Sequence, residues 1–193
     1  MALLSEATVR QAAARARVTA SMESASTILR EARKTTRTKF DIFLSHSKLD
    51  SDLVLGVKSV LESIGKTVYV DWIDDPLLDR SSVTPKTAET LRVRMRQCKS
   101  LFYAHSENAT TSRWMPWEIG YFDGFNSNVA ILPIVRSENQ TSFAGVEYLG
   151  LYPYVDVIGR SVSSPGTLYL HQSAGRYAGF EAWVLSADKL RPL

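Results

Sequence analysis

From Phe40 onward, apolar residues fall alternately into short unbroken runs and longer stretches at helical spacing. Phe40-Asp41-Ile42-Phe43-Leu44 is the first short run, closed by the small polar Ser45-His46-Ser47. Between Asp50 and Ile64, the residues Leu53, Val57, Val60, Leu61 and Ile64 share one helical face, and Gly65 predicts the stop. Thr67-Val68-Tyr69-Val70 predicts a second strand, followed by a loop to Val83 rich in the turn formers Asp74, Asp75, Pro76 and Asp79. Thr84-Pro85 sets an N-cap residue before a proline at the first helical position, and Ala88, Leu91, Met95 and Cys98 mark one side of the helix that follows. Residues 100–104 predict a third strand, a helix starts near Trp114, and residues 129–135 predict a fourth strand with a break or bulge at Pro133. Residues 152–157 read as a fifth strand and residues 176–188 as a closing helix. Such alternation implies the α/β class: a parallel five-stranded sheet with helices on both faces.

The leading segment differs. Residues 2–34 contain no Gly or Pro and are rich in Ala, Arg and Ser, which predicts a helix. Its apolar positions (Leu4, Val9, Val18, Met22, Ile28, Leu29) form no heptad seam, so a loosely packed lead-in is expected, with an oligomerisation arm as the alternative. Thr35-Thr36-Arg37-Thr38 reads as a linker, dividing the chain into a helical extension, residues 1–38, and a domain, residues 39–193. With 45% hydrophobic and 22% charged residues, 193 residues suffice for one domain of ordinary core plus an appendage.

Charge is uneven. Residues 1–39 carry eight basic and three acidic side chains, a net +5, which leaves −2 on the remainder of a chain whose total is +3. The basic leader lacks interleaved stacking aromatics, so no nucleic-acid partner is expected. A single cysteine, Cys98, excludes an internal disulfide and reads as a small buried hydrophobe. His46, His105 and His171 are scattered, and no metal site is expected. No apolar run reaches the roughly 18 residues of a membrane span, and no signal-peptide pattern opens the chain. The expected location is the cytoplasm, with no membrane partner.

The chemistry concentrates in Ser112-Arg113-Trp114-Met115-Pro116-Trp117-Glu118-Ile119-Gly120-Tyr121. Trp114 and Glu118 stand one helical turn apart and should project together from the helix start. An aromatic wall beside one carboxylate suits a planar, cation-bearing substrate. Ligands of parallel sheets bind beyond the carboxyl ends of the strands. Those ends are Ser45-His46-Ser47, Asp71-Trp72, His105-Ser106 and Arg136. Neither a Gly-rich dinucleotide fingerprint nor a Walker motif is present, which argues against a Rossmann dehydrogenase and a P-loop enzyme. Plainer roles stand beside these. A glutamate in a first helical turn favours the positive helix end, Ser45 serves equally as a cap, Asp71 as a turn former and His46 as a hydrogen-bonded rim residue. Of the two tryptophans, Trp117 is the one expected to pack.

The stretch Phe40 through Asp50 resembles the opening motif of Toll/interleukin-1 receptor (TIR) domains, a strand running into Asp71 and a long loop is similar to their second strand and BB loop, and Trp114-x-x-x-Glu118 resembles the signature of the bacterial enzymes. Ile131-Leu132-Pro133-Ile134 resembles their fourth strand, so the likeness covers about residues 40–135. The loop departs from the pattern, since Trp72-Ile73-Asp74-Asp75-Pro76-Leu77-Leu78 is not the usual Gly-containing turn. The resemblance implies a flavodoxin-like fold and cleavage of NAD+ between nicotinamide and ribose, with NAD+ as substrate and no cofactor. It maps the essential glutamate onto Glu118 and the site-lining residues onto Ser45, His46, Ser47, Lys48 and Asp71. Trp114 would stack on a ring or wall the pocket, and Lys48 or His46 would meet phosphate or ribose oxygens. By resemblance to stand-alone bacterial members, it further implies anti-phage defence, a linear or cyclic ADP-ribose product, homo-oligomers through TIR–TIR contacts and an effector that responds to the product. The rival readings are a non-catalytic TIR adaptor and a nucleoside deoxyribosyl transferase.

Overall fold

The computed structural model describes residues 3–22, 38–75, 78, 84–137, 139–140, 147–158, 166–173 and 175–186. The expected helix beyond residue 22, most of the linker, much of the loop before Thr84 and the end of the closing helix lie outside these residues. In chain order the strands are β1 (Leu4–Ser5), β2 (Phe40–Ser45), β3 (Val68–Tyr69), β4 (Cys98–His105), β5 (Val129–Val135), β6 (Tyr154–Ile158), β7 (Thr167–Ser173) and β8 (Arg176–Gly179). The helices are α1 (Glu6–Met22), α2 (Ser51–Ser63), the single turn α3 (Asp71–Asp74), α4 (Pro85–Arg96), α5 (Trp114–Phe125) and α6 (Phe180–Leu185).

All the strands join one sheet in the order β3-β2-β4-β5-β6-β7-β8, with β1 paired to β5. The five expected strands, β2 to β6, run parallel to one another. Strand side chains alternate between faces, and two cores follow from that parity. Ile42, Leu44, Phe102, Ala104, Ala130 and Leu132 meet Val57 and Val60 of α2 and Phe180 and Trp183 of α6. Phe43, Leu101, Tyr103, Val129 and Ile131 meet Leu91 and Met95 of α4 and Met115, Ile119 and Phe122 of α5 on the other face. Thr84 caps α4 by accepting from Thr87 N–H at 3.1 Å. Gly65, at φ +81°, supplies the left-handed residue that ends α2.

Three elements differ from expectation. The leading helix is built into the domain: Val9 is fully buried, Ala12 and Ala13 are buried, and α1 lies along α2. Small apolar residues make a poor heptad but a good close-packing surface, which is why the spacing suggested looseness. Ser5 ends β1 and caps α1, accepting from Thr8 N–H at 3.1 Å. Second, the parallel sheet continues into an antiparallel hairpin, β7–β8, and residues 176–179 are strand where a helix was expected. Third, β5 is unbroken at Pro133. Proline has no N–H to give, and it falls where the neighbour of β5 changes from β6, at Ile131, to β1, at Ile134 and Val135.

Two carboxylates tie the sheet to its surroundings. Burial pushes Asp41 up, but Lys99 (2.7 Å) and the N–H and hydroxyl of Thr67 (2.9 Å each) hold it below the usual value of 3.8. Asp75 is likewise pushed up by burial, yet Arg94 and Tyr69 hold it low. A depressed folded value means stability that is present above the ordinary carboxylate range and lost as pH falls through the folded value. Acid denaturation is therefore expected to steepen below about pH 4, against the contrary pull of Asp74, which burial raises. Asp41→Asn and Asp75→Asn should each flatten that acid limb in circular-dichroism melts.

Candidate functional site

The site assembles where β2 and β4 end side by side, since Ser45 pairs with Tyr103 in the register. Ser45 Oγ donates to Glu118 Oε2 at 2.6 Å, and both residues are fully buried. Residues 73 apart in sequence thus meet at the carboxyl edge of the sheet. Glu118 is the fifth residue of α5, in its second turn rather than its first. Interaction with the free helix end fades within the first turn, so the plain helix-end role loses its basis. A fully buried carboxylate costs several kcal/mol unless donors meet it, and the Ser45 hydroxyl is one such donor.

The neighbouring groups are held just as firmly. His46 is buried, and its Nδ1 donates to the carbonyl of Leu44 at 2.8 Å, because that oxygen can only accept. The opposite ring nitrogen, Nε2, lies 3.3 Å from Asp71 Oδ1. Ser47 caps the short turn Lys48–Asp50 by accepting from Leu49 N–H, while Lys48 is exposed on it. Asp50 is buried and accepts from the Ser106 hydroxyl and from Asn108 Nδ2, the latter at 2.7 Å. It cross-links the segment after β2 to the segment after β4, which leads into α5. Asn108 escaped the sequence reading, since a partner 58 residues away leaves no local signal. Arg136, at the tip of β5, pairs with Glu107 on the same rim. Tyr103 is pushed up to about 12, mainly by burial and then by the nearby Tyr148 and Glu118. Burial pulls His105 down.

Both tryptophans pack. Trp114 is 9% exposed and lies in the core cluster with Met115 and Ala109, edge-on to Trp117. Trp117 is half-buried against the same cluster, as expected, stacked on Tyr121 at 5.7 Å and covered by Arg92 at 5.5 Å. Trp114, expected to stack on a ring or wall the pocket, is the more buried of the two. Leu49 and Trp72 are exposed on the rim after β2 and β3. Among the described residues, no group of acidic, His or Cys side chains could hold a metal ion, and no helix is long and apolar enough to cross a membrane.

No protein-family model matches the chain. It is 52% identical over 145 residues to the probable 3' cyclic ADP-D-ribose synthase ThsB' of Bacillus cereus (strain MSX-D12), covering 75% of each protein. The chain belongs to the bacterial TIR family. This TIR chain is also 29% identical over 83 residues to the putative cyclic ADP-D-ribose synthase TIR2 of Cytobacillus dafuensis, a match covering 42% of this chain and 22% of that protein.

The contact between Ser45 and Glu118 can be tested directly in this TIR chain. Ser45→Ala removes a donor from a buried carboxylate, a loss that costs about 1–3 kcal/mol. Thermal denaturation at neutral pH should show that loss, and Ser45→Thr should recover part of it.

Proposed function

We propose that this TIR chain cleaves the bond between nicotinamide and ribose in NAD+ and releases a cyclic ADP-ribose as a signal in bacterial anti-phage defence. The observation that carries the proposal is a fully buried carboxylate, Glu118, held by Ser45 at the carboxyl edge of a parallel sheet. The two curated relatives are named cyclic ADP-D-ribose synthases, which supports the same reading.

The chemistry needs few groups. Nicotinamide leaves NAD+ with the electron pair of the C1′–N bond, which neutralises its ring, so no general acid is required. Positive charge develops on the ribose as an oxocarbenium, as in glycoside hydrolysis. A fixed carboxylate beside C1′ stabilises that charge without reorganising, usually the largest single catalytic contribution. In the cyclising branch, a ribose hydroxyl of the same ADP-ribose attacks C1′ and passes its proton to Glu118. A bound site that keeps water from C1′ favours this branch. Lys48, exposed just after β2, meets the diphosphate as a point charge, and Trp114 lies on the nicotinamide side. Homo-oligomers formed through TIR–TIR contacts, a product-sensing effector and a cytoplasmic location belong to the same proposal.

The test is incubation of the purified chain with NAD+, with nicotinamide and the ADP-ribose products separated by chromatography. Nicotinamide with a cyclic product supports the reading, and nicotinamide with linear ADP-ribose alone limits it to hydrolysis. No nicotinamide at high protein concentration would leave the adaptor reading.

A further inference from the structure

The turn that carries Asp71 is gripped by side chains of β3 and α4. Asp75 closes α3, its N–H donating to Asp71 O at 2.7 Å. Its carboxylate takes two hydrogen bonds from Arg94 of α4, from Nε at 2.7 Å and Nη2 at 2.6 Å, and a third from the Tyr69 hydroxyl at 2.7 Å. Arg94 Nη1 is itself steered by Gln97 Oε1 at 3.1 Å, and its guanidinium lies 5.7 Å from the Tyr69 ring centre. Two parallel N–H donors on one carboxylate fix orientation as well as distance. From Asp75 the connections run through the backbone of α3 to the buried Asp71, across 3.3 Å to His46 Nε2, and through His46 Nδ1 to Leu44 O, the residue before Ser45.

We propose that Arg94, Asp75 and Tyr69 form a clamp that sets the position of Asp71 against His46, which makes Arg94 a positioning residue for the Glu118 site. The Arg94 side chain bonds Asp75 and Gln97 and lies by the Tyr69 ring, and it acts on the site through Asp75. The catalytic part of this inference rests on the NAD+ reading, whereas the structural part stands by itself. A misplacement near 1 Å at a reacting site costs about a hundredfold in rate, so a clamp two contacts removed should cost about tenfold in kcat with a smaller change in KM.

The test uses the full chain labelled with 15N-histidine, which has only three imidazoles to assign. Arg94→Ala and Asp75→Asn should each shift the Nδ1 and Nε2 resonances of His46, leaving those of His171 in place. Arg94→Lys should not restore them, because an ammonium is a point charge without the planar fork. Glu89→Ala, which breaks the outer pair with Arg92 on the same helix, should leave His46 unmoved. Should Arg94→Ala fail to fold, Tyr69→Phe removes one bond of the clamp and should move His46 in the same direction. Folded Asp75→Asn and Tyr69→Phe proteins with unshifted His46 signals would overturn the clamp. With NAD+ added, a fall in kcat in the clamp variants and not in Glu89→Ala supports the positioning role. Unchanged kcat in variants whose His46 has moved overturns that role. Absence of nicotinamide from the unaltered chain overturns the NAD+ reading instead, while the histidine spectra still decide the clamp.

Discussion

Glu118→Gln is expected to leave the protein folded and to lower nicotinamide release from NAD+ by about a hundredfold or more, the usual loss when one preorganised electrostatic group is removed. Glutamine has the shape of glutamate, and its carbonyl can still accept the Ser45 hydroxyl that now lies 2.6 Å from Oε2. The substitution therefore changes charge while keeping geometry, and any rate lost reports the negative charge beside C1′. Glu118→Ala would confound the two by opening space in a fully buried position. The measurement is single-turnover release of nicotinamide, with a thermal melt of each variant as a check on folding. A glutamine variant as fast as the unaltered chain would remove Glu118 from the chemistry. Catalysis would then have to be sought among Asp71, His46 and Lys48.

Gly56→Ala is expected to have the largest effect on stability. A Cβ at Gly56 would stand 2.0 Å from Val9 O, 2.7 Å from Val9 C and 2.8 Å from Val9 Cγ1. Two of those three atoms are backbone, so no rotamer change relieves the clash, and α1 must move away from α2. Overpacking typically costs about 1–3 kcal/mol and occasionally more, and a backbone clash belongs at the upper end. At about 2–4 °C per kcal/mol for a chain of this size, a loss of about 3 kcal/mol lowers Tm by roughly 6–12 °C. Adding Val9→Ala should not rescue it, since the carbonyl remains in place. A Tm within a degree or two of the unaltered protein would mean that α1 does not lie against Gly56 in solution.

Elements governed by local chemistry were legible from the residues alone. Gly65 closes α2, Thr84-Pro85 opens α4, and the apolar run from Val129 to Val135 is β5 along its whole length. The five parallel strands needed only short apolar runs between amphipathic helices. What escaped depends on distant partners. β1 is two residues long and is a strand only because β5 offers it an edge beyond Ile131. β7 did carry a period-two signal, Leu168 and Leu170 on one face and Tyr169 and His171 on the other, though His171 is buried as well. β8 contains Gly179 and no β-branched residue, so its pairing with β7 decides its state. Within the candidate site, motif spacing brought Glu118 forward and the strand tips brought Ser45, and the structure joins the two. Which tryptophan would be the more buried was not legible, because both flank the same helix start and both pack on one core cluster.

The pairing of β1 with Ile134 and Val135 also ties the leading segment to the carboxyl end of β5. Being parallel to β5, β1 runs toward the same sheet edge at which Ser45 meets Glu118, and it hands the chain directly to α1. Trimming Leu4 and Ser5 would therefore strip a strand from β5 and the cap from α1 at one stroke. Shortened forms used for enzymatic comparison should keep both residues.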